Sequence, residues 1–219
     1  MTGRTLELLP LDIDAETFNI LVSTLLDYCN DYDLLISDEQ ATICVKHLLY
    51  IVQLNEKINL TRITNIDEAL VLHVLDSLLF CKMIPTENEV QKKILDMGTG
   101  AGFPGVPLIV STNAHVTLLD SVGKKVNAVD MILKELGVDD YDAVHNRTEL
   151  YALEHRAEFD FVVARALASL PILIEYATPF LNMGGSLVLS KGNPTDDELE
   201  SGKRAAHICG LELVEQREF

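Results

Sequence analysis

Four glycines at positions 98, 100, 102 and 105 follow the acid Asp96, within Lys93-Ile94-Leu95-Asp96-Met97-Gly98-Thr99-Gly100-Ala101-Gly102-Phe103-Pro104-Gly105-Val106-Pro107. Glycine permits a positive φ and lets a ligand approach the main chain closely. Ile94 and Leu95 read as the end of a buried strand. A strand that breaks into such a loop and continues into a helix is a turn that holds a nucleotide-like cofactor. No Gly-Lys-Ser/Thr follows, so a P-loop is excluded.

Two cofactors compete for this turn. Gly100-x-Gly102-x-x-Gly105 fits the dinucleotide fingerprint. Asp96-x-Gly98-x-Gly100 fits the acid-Gly-x-Gly turn that binds S-adenosylmethionine. The acid decides between them. A dinucleotide brings a phosphate to this turn, which a carboxylate would repel. S-adenosylmethionine has no phosphate and carries a sulfonium and an ammonium. Asp96, Gly98 and Gly100 are therefore assigned to S-adenosylmethionine.

In an open α/β sheet the ligand sits at the carboxyl ends of the strands, so the residues after each later strand are candidates. Asp120 lies about 20 residues past the glycines, where an acid grips ribose hydroxyls; it is equally a cap for the helix beginning near Val122. Asn146-Arg147-Thr148-Glu149 can meet an adenine ring, and Thr148 is placed to cap a helix. Arg165 and Lys191 are cations at two further strand ends. Lys124 and Lys125 fit a solvated helix face or, with Arg147, Arg165, Lys191, Lys203 and Arg204, a basic rim at the pocket mouth.

The elements that must position these groups follow from periodicity. Strands are expected at 93–97, 115–119, 141–145, 159–164, 185–190 and 211–216. Helices are expected between them at about 104–111, 122–136, 148–155, 171–182 and 195–208. That alternation is a doubly wound α/β plan with a mostly parallel sheet. Upstream, helices are expected at 15–30, from a Ser37-x-x-Gln40 capping box to near Asn55, and from Asp67 to about Lys82. On the third of these, His73, Asp76 and Ser77 form a polar stripe on an otherwise apolar helix. They satisfy one another and nearby backbone, or they support the cofactor loop or touch RNA; Asn59 and Thr61 carry the same two readings. Residues 85–92 separate a helical appendage, 1–85, from the cofactor-binding domain, 86–219.

The chain has 219 residues, 48% of them hydrophobic, and a formal charge of −17. This argues against indiscriminate nucleic-acid binding, since like charges repel the phosphate backbone. Residues 1–46 hold nine acids against two bases, a local balance of −7, so the total overstates repulsion at the site. Four scattered cysteines with no Cys-x-x-Cys pair argue against a zinc site and fit a reducing cytoplasm. No apolar run approaches the roughly 20 residues that span a bilayer, and the opening residues lack the plan of a secretory signal.

These segments together resemble the bacterial 16S ribosomal RNA guanine-N7 methyltransferase family, also called the glucose-inhibited division protein B family. The matching pieces are Asn55-Glu56-Lys57-Ile58-Asn59-Leu60-Thr61, His73-Val74-Leu75-Asp76-Ser77-Leu78, the glycine turn, Leu119-Asp120-Ser121 with Lys124-Lys125, Asn146-Arg147-Thr148-Glu149, Ala164-Arg165-Ala166 and Lys191-Gly192. The resemblance implies a Rossmann-like class I methyltransferase sheet. It implies a cofactor lying against Gly98, Phe103, Asp120, Thr148, Glu149 and Arg165, with Asn59, His73 and Lys191 near the RNA or supporting the site. The substrate would be a guanine of 16S ribosomal RNA, free or in the small subunit. S-adenosylhomocysteine would be the product, and the enzyme a cytoplasmic monomer with no metal.

Guanine N7 has a free lone pair, so no general base is required; Arg165 and Lys191 are the positioning candidates. Three departures stand out. Leu54 replaces a Trp that the family often has, the chain is unusually acidic, and the family's last antiparallel strand is missing. Residues 211–219 are therefore expected to re-pair directly, or to be poorly ordered or packed unusually. The competing functions are a methyltransferase of another substrate, a non-enzymatic binder, and an NAD-dependent oxidoreductase, for which no Tyr-Lys donor pair is well placed.

Overall fold

The computed structural model describes residues 6–85, 90–165 and 168–219. Two long helices come first, α1 (Ala15–Asp31) and α2 (Asp38–Asn55). Asp14 caps α1 by accepting the Thr17 amide. The Ser37–Gln40 box closes the start of α2 from both sides, satisfying two end donors that would otherwise go unpaired. Helix α3 covers residues 66–83, as its apolar pattern predicts, but changes winding along its length. It is α over Ile66–Ala69, π over Leu70–Leu75, α again over Asp76–Leu78 and 3₁₀ over Leu79–Met83. Residues 86–89 of the expected boundary, residues 1–5 of the lead-in and Ala166 lie outside the described residues.

Strand and helix then alternate: β1 (Lys92–Met97), α4 (Gly105–Ser111), β2 (Ala114–Asp120), α5 (Gly123–Glu135), β3 (Tyr141–His145), α6 (Thr148–Glu154), β4 (Phe159–Arg165), α7 (Leu170–Ala177), β5 (Leu181–Ser190) and α8 (Asp196–Cys209). The five strands are parallel in the order β3-β2-β1-β4-β5. The chain steps outward from β1 to β3 and returns across β1 to β4. The crevice for a ligand therefore opens at the carboxyl ends of β1 and β4.

Strand periodicity of two decides which side chains reach that crevice together. Ile94, Val116, Leu118, Phe161 and Val163 pack on one face of the sheet, Leu95, Met97, Leu119, Val162 and Ala164 on the other. Asp96, Asp120 and Arg165 continue the first set. Helices α1 to α3 form a layer beside that face. Their core includes Ala101 and Phe103 of the glycine loop and Ala128 and Ile132 of α5.

Two expectations need correction. Residues 181 and 182 belong to β5, not to a helix. Pro179 sits in a short 3₁₀ turn, Thr178–Phe180, and Leu181 already pairs with Phe159. The register then slips before Ser186 pairs with Phe161, with Gly184 at φ +83° inside the bulge. Residues 211–216 form no strand. Gly210, left-handed at φ +75°, ends α8, and the Leu211 amide bonds back to the Ala206 carbonyl at 2.8 Å. Leu211 touches the core beside β4 and β5, whereas Leu213 and Val214 are exposed. Their alternation fits a strand, but a strand also needs a hydrogen-bonding neighbour, and among the described residues none pairs with them.

Candidate active site

The glycine loop is held from three sides. The Gly98 and Thr99 amides donate to the Leu119 carbonyl at 2.8 and 2.9 Å, which ties the loop to β2. Gly98, Gly100 and Gly102 have φ of +78°, +60° and +89°, which side chains rarely adopt. At Gly105 space is the constraint: a Cβ there would lie 2.2 Å from Leu118 Cδ2 and 2.6 Å from Asp96 Oδ2.

Asp96 is fully buried, and its Oδ2 accepts the Gly105 amide at 2.8 Å. Burial raises its carboxyl to about 6. Its Oδ1 and the nearby Thr99 Oγ1 are buried without a bond of good geometry, although the Thr99 hydroxyl still offsets part of that rise. Asp120 has both oxygens engaged, Oδ2 by the Gly100 amide at 2.9 Å and Oδ1 by the Val122 amide at 2.8 Å. The two alternatives for Asp120 are thus compatible: it braces the turn into α5 while standing beside the loop at the strand end. Gly100 has open space where a Cβ would point, apart from the Gly98 carbonyl at 3.9 Å. Two carboxylates, an open glycine backbone and orphaned buried oxygens suit a phosphate-free, cationic ligand better than a pyrophosphate.

Arg165 reaches from the end of β4 to α3. Its Nη1 donates to Asp76 Oδ2 at 2.9 Å and to the Leu72 carbonyl at 2.5 Å, and its Nη2 to His73 Nδ1 at 3.0 Å. The π winding matters here. Along it the Leu72 carbonyl and the His73 and Asp76 side chains meet one guanidinium, and such π turns are frequent at functional sites. His73 Nε2 pairs with Thr61 Oγ1 at 2.7 Å. Burial, then the Arg165 charge, lowers His73 to about 4, so the ring is neutral at pH 7. Phe103 stacks on His73 at 5.0 Å, with the Arg165 guanidinium 5.7 Å from its ring centre.

The other expected residues are not bonded to this group among the described contacts. Lys191 Nζ is paired with Glu198 at 2.9 Å and donates to the Ala168 carbonyl at 3.2 Å. The charge-assisted bond from Lys191 and the Leu170 amide lower the Glu198 carboxyl. Thr148 opens α6 rather than capping it; Arg147 holds the cap position and its side chain pairs with Glu149. Asn59 and Lys124 are exposed and Lys125 half-buried. Lys203 and Arg204 bond within their own helix, to Glu200 and Ser201, so the expected basic rim is partly neutralised. Among the described residues no group of three His, Cys, Asp or Glu side chains could hold a metal ion, and no helix is long and apolar enough to cross a membrane.

Two further residues belong to the site without having stood out in the sequence. Asn55 Oδ1 accepts the Leu60 and Thr61 amides at 2.7 and 2.9 Å, setting the loop that brings Thr61 to His73. Its signal was an Asn ending a helix just before Asn59-Leu60-Thr61. His47 of α2 is fully buried against Phe103. Its signal, a lone histidine among the apolar residues of an amphipathic helix, is weak.

The parallel sheet, the glycine turn after β1 and the acid that ends β2 define the class I S-adenosylmethionine-dependent methyltransferase fold. Two solved structures share it. One is a putative sarcosine dimethylglycine methyltransferase from Galdieria sulphuraria, with TM-score 0.54 and 15% identity, over 76% of this chain and 73% of that one. The other is TYW2 of P. horikoshii in complex with MeSAdo, with TM-score 0.54 and 16% identity, over 63% and 52%. The family described as rRNA small subunit methyltransferase G matches residues 40–219, and the chain belongs to it. Relatives named ribosomal RNA small subunit methyltransferase G include one from Alkaliphilus metalliredigens, 38% identical over 88% of this chain and 81% of its own length. Another, from Acetivibrio thermocellus, is 39% identical over 75% and 68%.

Proposed function

We propose that this enzyme transfers the methyl group of S-adenosylmethionine to N7 of a guanine in 16S ribosomal RNA, releasing S-adenosylhomocysteine. The observation that carries the reading is Asp120 bonded to the Gly100 amide beside the Arg165–His73–Asp76 cluster, in a chain of this family.

In this reading Asp96, Gly98, Gly100, Phe103, Asp120, Thr148, Glu149 and Arg165 form the cofactor side. Asn59, His73, Asp76, Lys124, Lys125 and Lys191 contact RNA or support the site. The division into an appendage, 1–85, and a cofactor domain, 86–219, assigns α1 to α3 to the support of the RNA side. The enzyme acts as a cytoplasmic monomer, where ribosomal RNA is assembled.

The bound cofactor supplies an electrophilic methyl, and the protein aligns guanine N7 with it. The N7 lone pair attacks directly, so no proton has to be removed first. Holding the two reactants in line and dry supplies on the order of 7–11 kcal/mol. Positive charge moves from sulfur to the purine, and the carboxylates of Asp96 and Asp120 favour cationic charge at the loop. Arg165 is held by His73, Asp76 and the Leu72 carbonyl, a rigid mount for a positioning cation.

The test is calorimetric titration with S-adenosylhomocysteine and, as control, NAD, followed by methyl transfer to small subunits lacking the modification. Saturable binding of S-adenosylhomocysteine alone, with incorporation at guanine N7, is expected. Binding of NAD alone would overturn the reading.

A further inference from the structure

His47 lies at the centre of α2 with no exposed surface, and neither ring nitrogen has a hydrogen-bond partner. Its ring is 4.8 Å from that of Phe103, tilted by 54°. Phe103 is thus held between two imidazoles, His47 and His73, with the Arg165 guanidinium near its ring. The edge carrying His47 Nε2 faces the loop closely: a Cβ on Gly102 would lie 2.9 Å from Nε2 and 2.8 Å from Val106 Cγ2. The Ala101 carbonyl lies close enough to favour the protonated ring, yet it stands outside hydrogen-bond geometry. Burial keeps the ring neutral, pulling it down to about 3.

A buried imidazole without a partner is unfavourable, and an apolar side chain would fill the same space without that penalty. The other buried side-chain atoms lacking partners, among the described residues, are Asp96 Oδ1 and Thr99 Oγ1, at the same loop. Unpaired buried groups gathered at one place need a partner, and the loop backbone is what lies next to this one.

We infer that His47 is a positioning residue for the cofactor loop. Its Nε2–H donates to the Ala101 carbonyl as the loop closes on the cofactor, and so fixes Phe103 and the glycine backbone beneath the ligand. The inference rests on the methyltransferase reading. It assigns His47 no contact with cofactor or RNA.

The experiment compares S-adenosylhomocysteine affinity, by calorimetry, for the full-length wild type, His47→Phe and His47→Gln, with a thermal melt of each. Phenylalanine keeps the ring and loses the donor. Glutamine places an amide N–H near the Nε2 position. His47→Phe is expected to bind about tenfold more weakly and His47→Gln to recover to within about threefold, as loss and return of one hydrogen bond predict. Equal affinity of His47→Phe and wild type, or a glutamine variant as weak as phenylalanine, would overturn the inference. If His47→Phe does not fold, the ¹⁵N resonances of the wild-type His47 ring decide. A shift of protonated Nε2 on saturation with S-adenosylhomocysteine supports the bond, and no shift removes it. Failure of the wild type to bind would overturn the cofactor reading itself, and needs no variant to be seen.

Discussion

Arg165 Nη2 donates to His73 Nδ1 at 3.0 Å, and this one bond fixes the imidazole's tautomer. A guanidinium cannot accept, so Nδ1 must be the bare nitrogen. The ring proton therefore sits on Nε2 and is donated to Thr61 Oγ1. Thr61 in turn accepts the Ile63 amide. One cation at the end of β4 thus orders α3 and the 59–63 loop together.

Replacing Arg165 should accordingly damage more than one property. Arg165→Ala leaves Asp76 and His73 without their donor, at a cost of about 2–3 kcal/mol in stability. Both S-adenosylhomocysteine affinity and methyl transfer should fall, by roughly tenfold or more. Arg165→Lys should rescue neither fully, because an ammonium lacks the planar fork that serves three acceptors at once. Calorimetry and single-turnover methyl transfer check this. Full rescue by lysine would reduce Arg165 to a charge.

Two glycines in the same loop should fail in different ways. Gly105→Ala drives a Cβ into Leu118 and Asp96 and should lower stability by about 1–3 kcal/mol, read from a denaturant midpoint. Gly100→Ala meets no crowding, only the strain of φ +60°, about 1–2 kcal/mol. It should stay folded while binding S-adenosylhomocysteine at least about tenfold more weakly, since the proposed cofactor site puts the ligand where that methyl would stand.

Lys191 tests the RNA side. Its pairing with Glu198 and the Ala168 carbonyl anchors it at the end of β5. Lys191→Ala should slow methyl transfer by about tenfold or more and leave S-adenosylhomocysteine affinity within about twofold. Unchanged turnover would remove Lys191 from the substrate-facing set.

At the opposite end of the sheet, His115 bridges Asp140 through Nδ1 and Asp142 through Nε2, each at 2.9 Å. Burial opposes protonation, but the bonds to the two carboxylates outweigh it, and the pKa of His115 is raised. A histidine whose folded pKa exceeds its unfolded value, about 6.5, stabilises fully below that value. The contribution is lost as pH rises through the folded value. Both carboxylates are at least half exposed, so solvent limits the effect to under about 1 kcal/mol. The melting advantage of wild type over His115→Gln should be larger at pH 5.5 than at pH 8.5. An advantage independent of pH would exclude the charged bridge.

The sequence by itself determined the five parallel strands to within a few residues at their ends, the glycine turn and its cofactor class. Those depend on local signals: runs of apolar residues, Ser37 and Gln40 three apart, and glycines where φ must be positive. It also singled out Arg165, His73 and Asp76, through strand-end placement and a polar helical stripe. Their meeting was decided by tertiary structure, because Arg165 lies 92 residues from His73 and no local period connects them. The π turn that exposes the Leu72 carbonyl was equally invisible, since its residues would fit an ordinary α-helix. Residues 211–216 show the same limit from the other side. Alternation can mark which face of a strand would be apolar, but only a neighbouring strand can supply its hydrogen bonds. His47 is the one polar residue on the buried face of α2, and its role comes from the loop that folds against it. Periodicity records burial, which each residue carries alone; the site is made of pairs, which only the folded chain brings together.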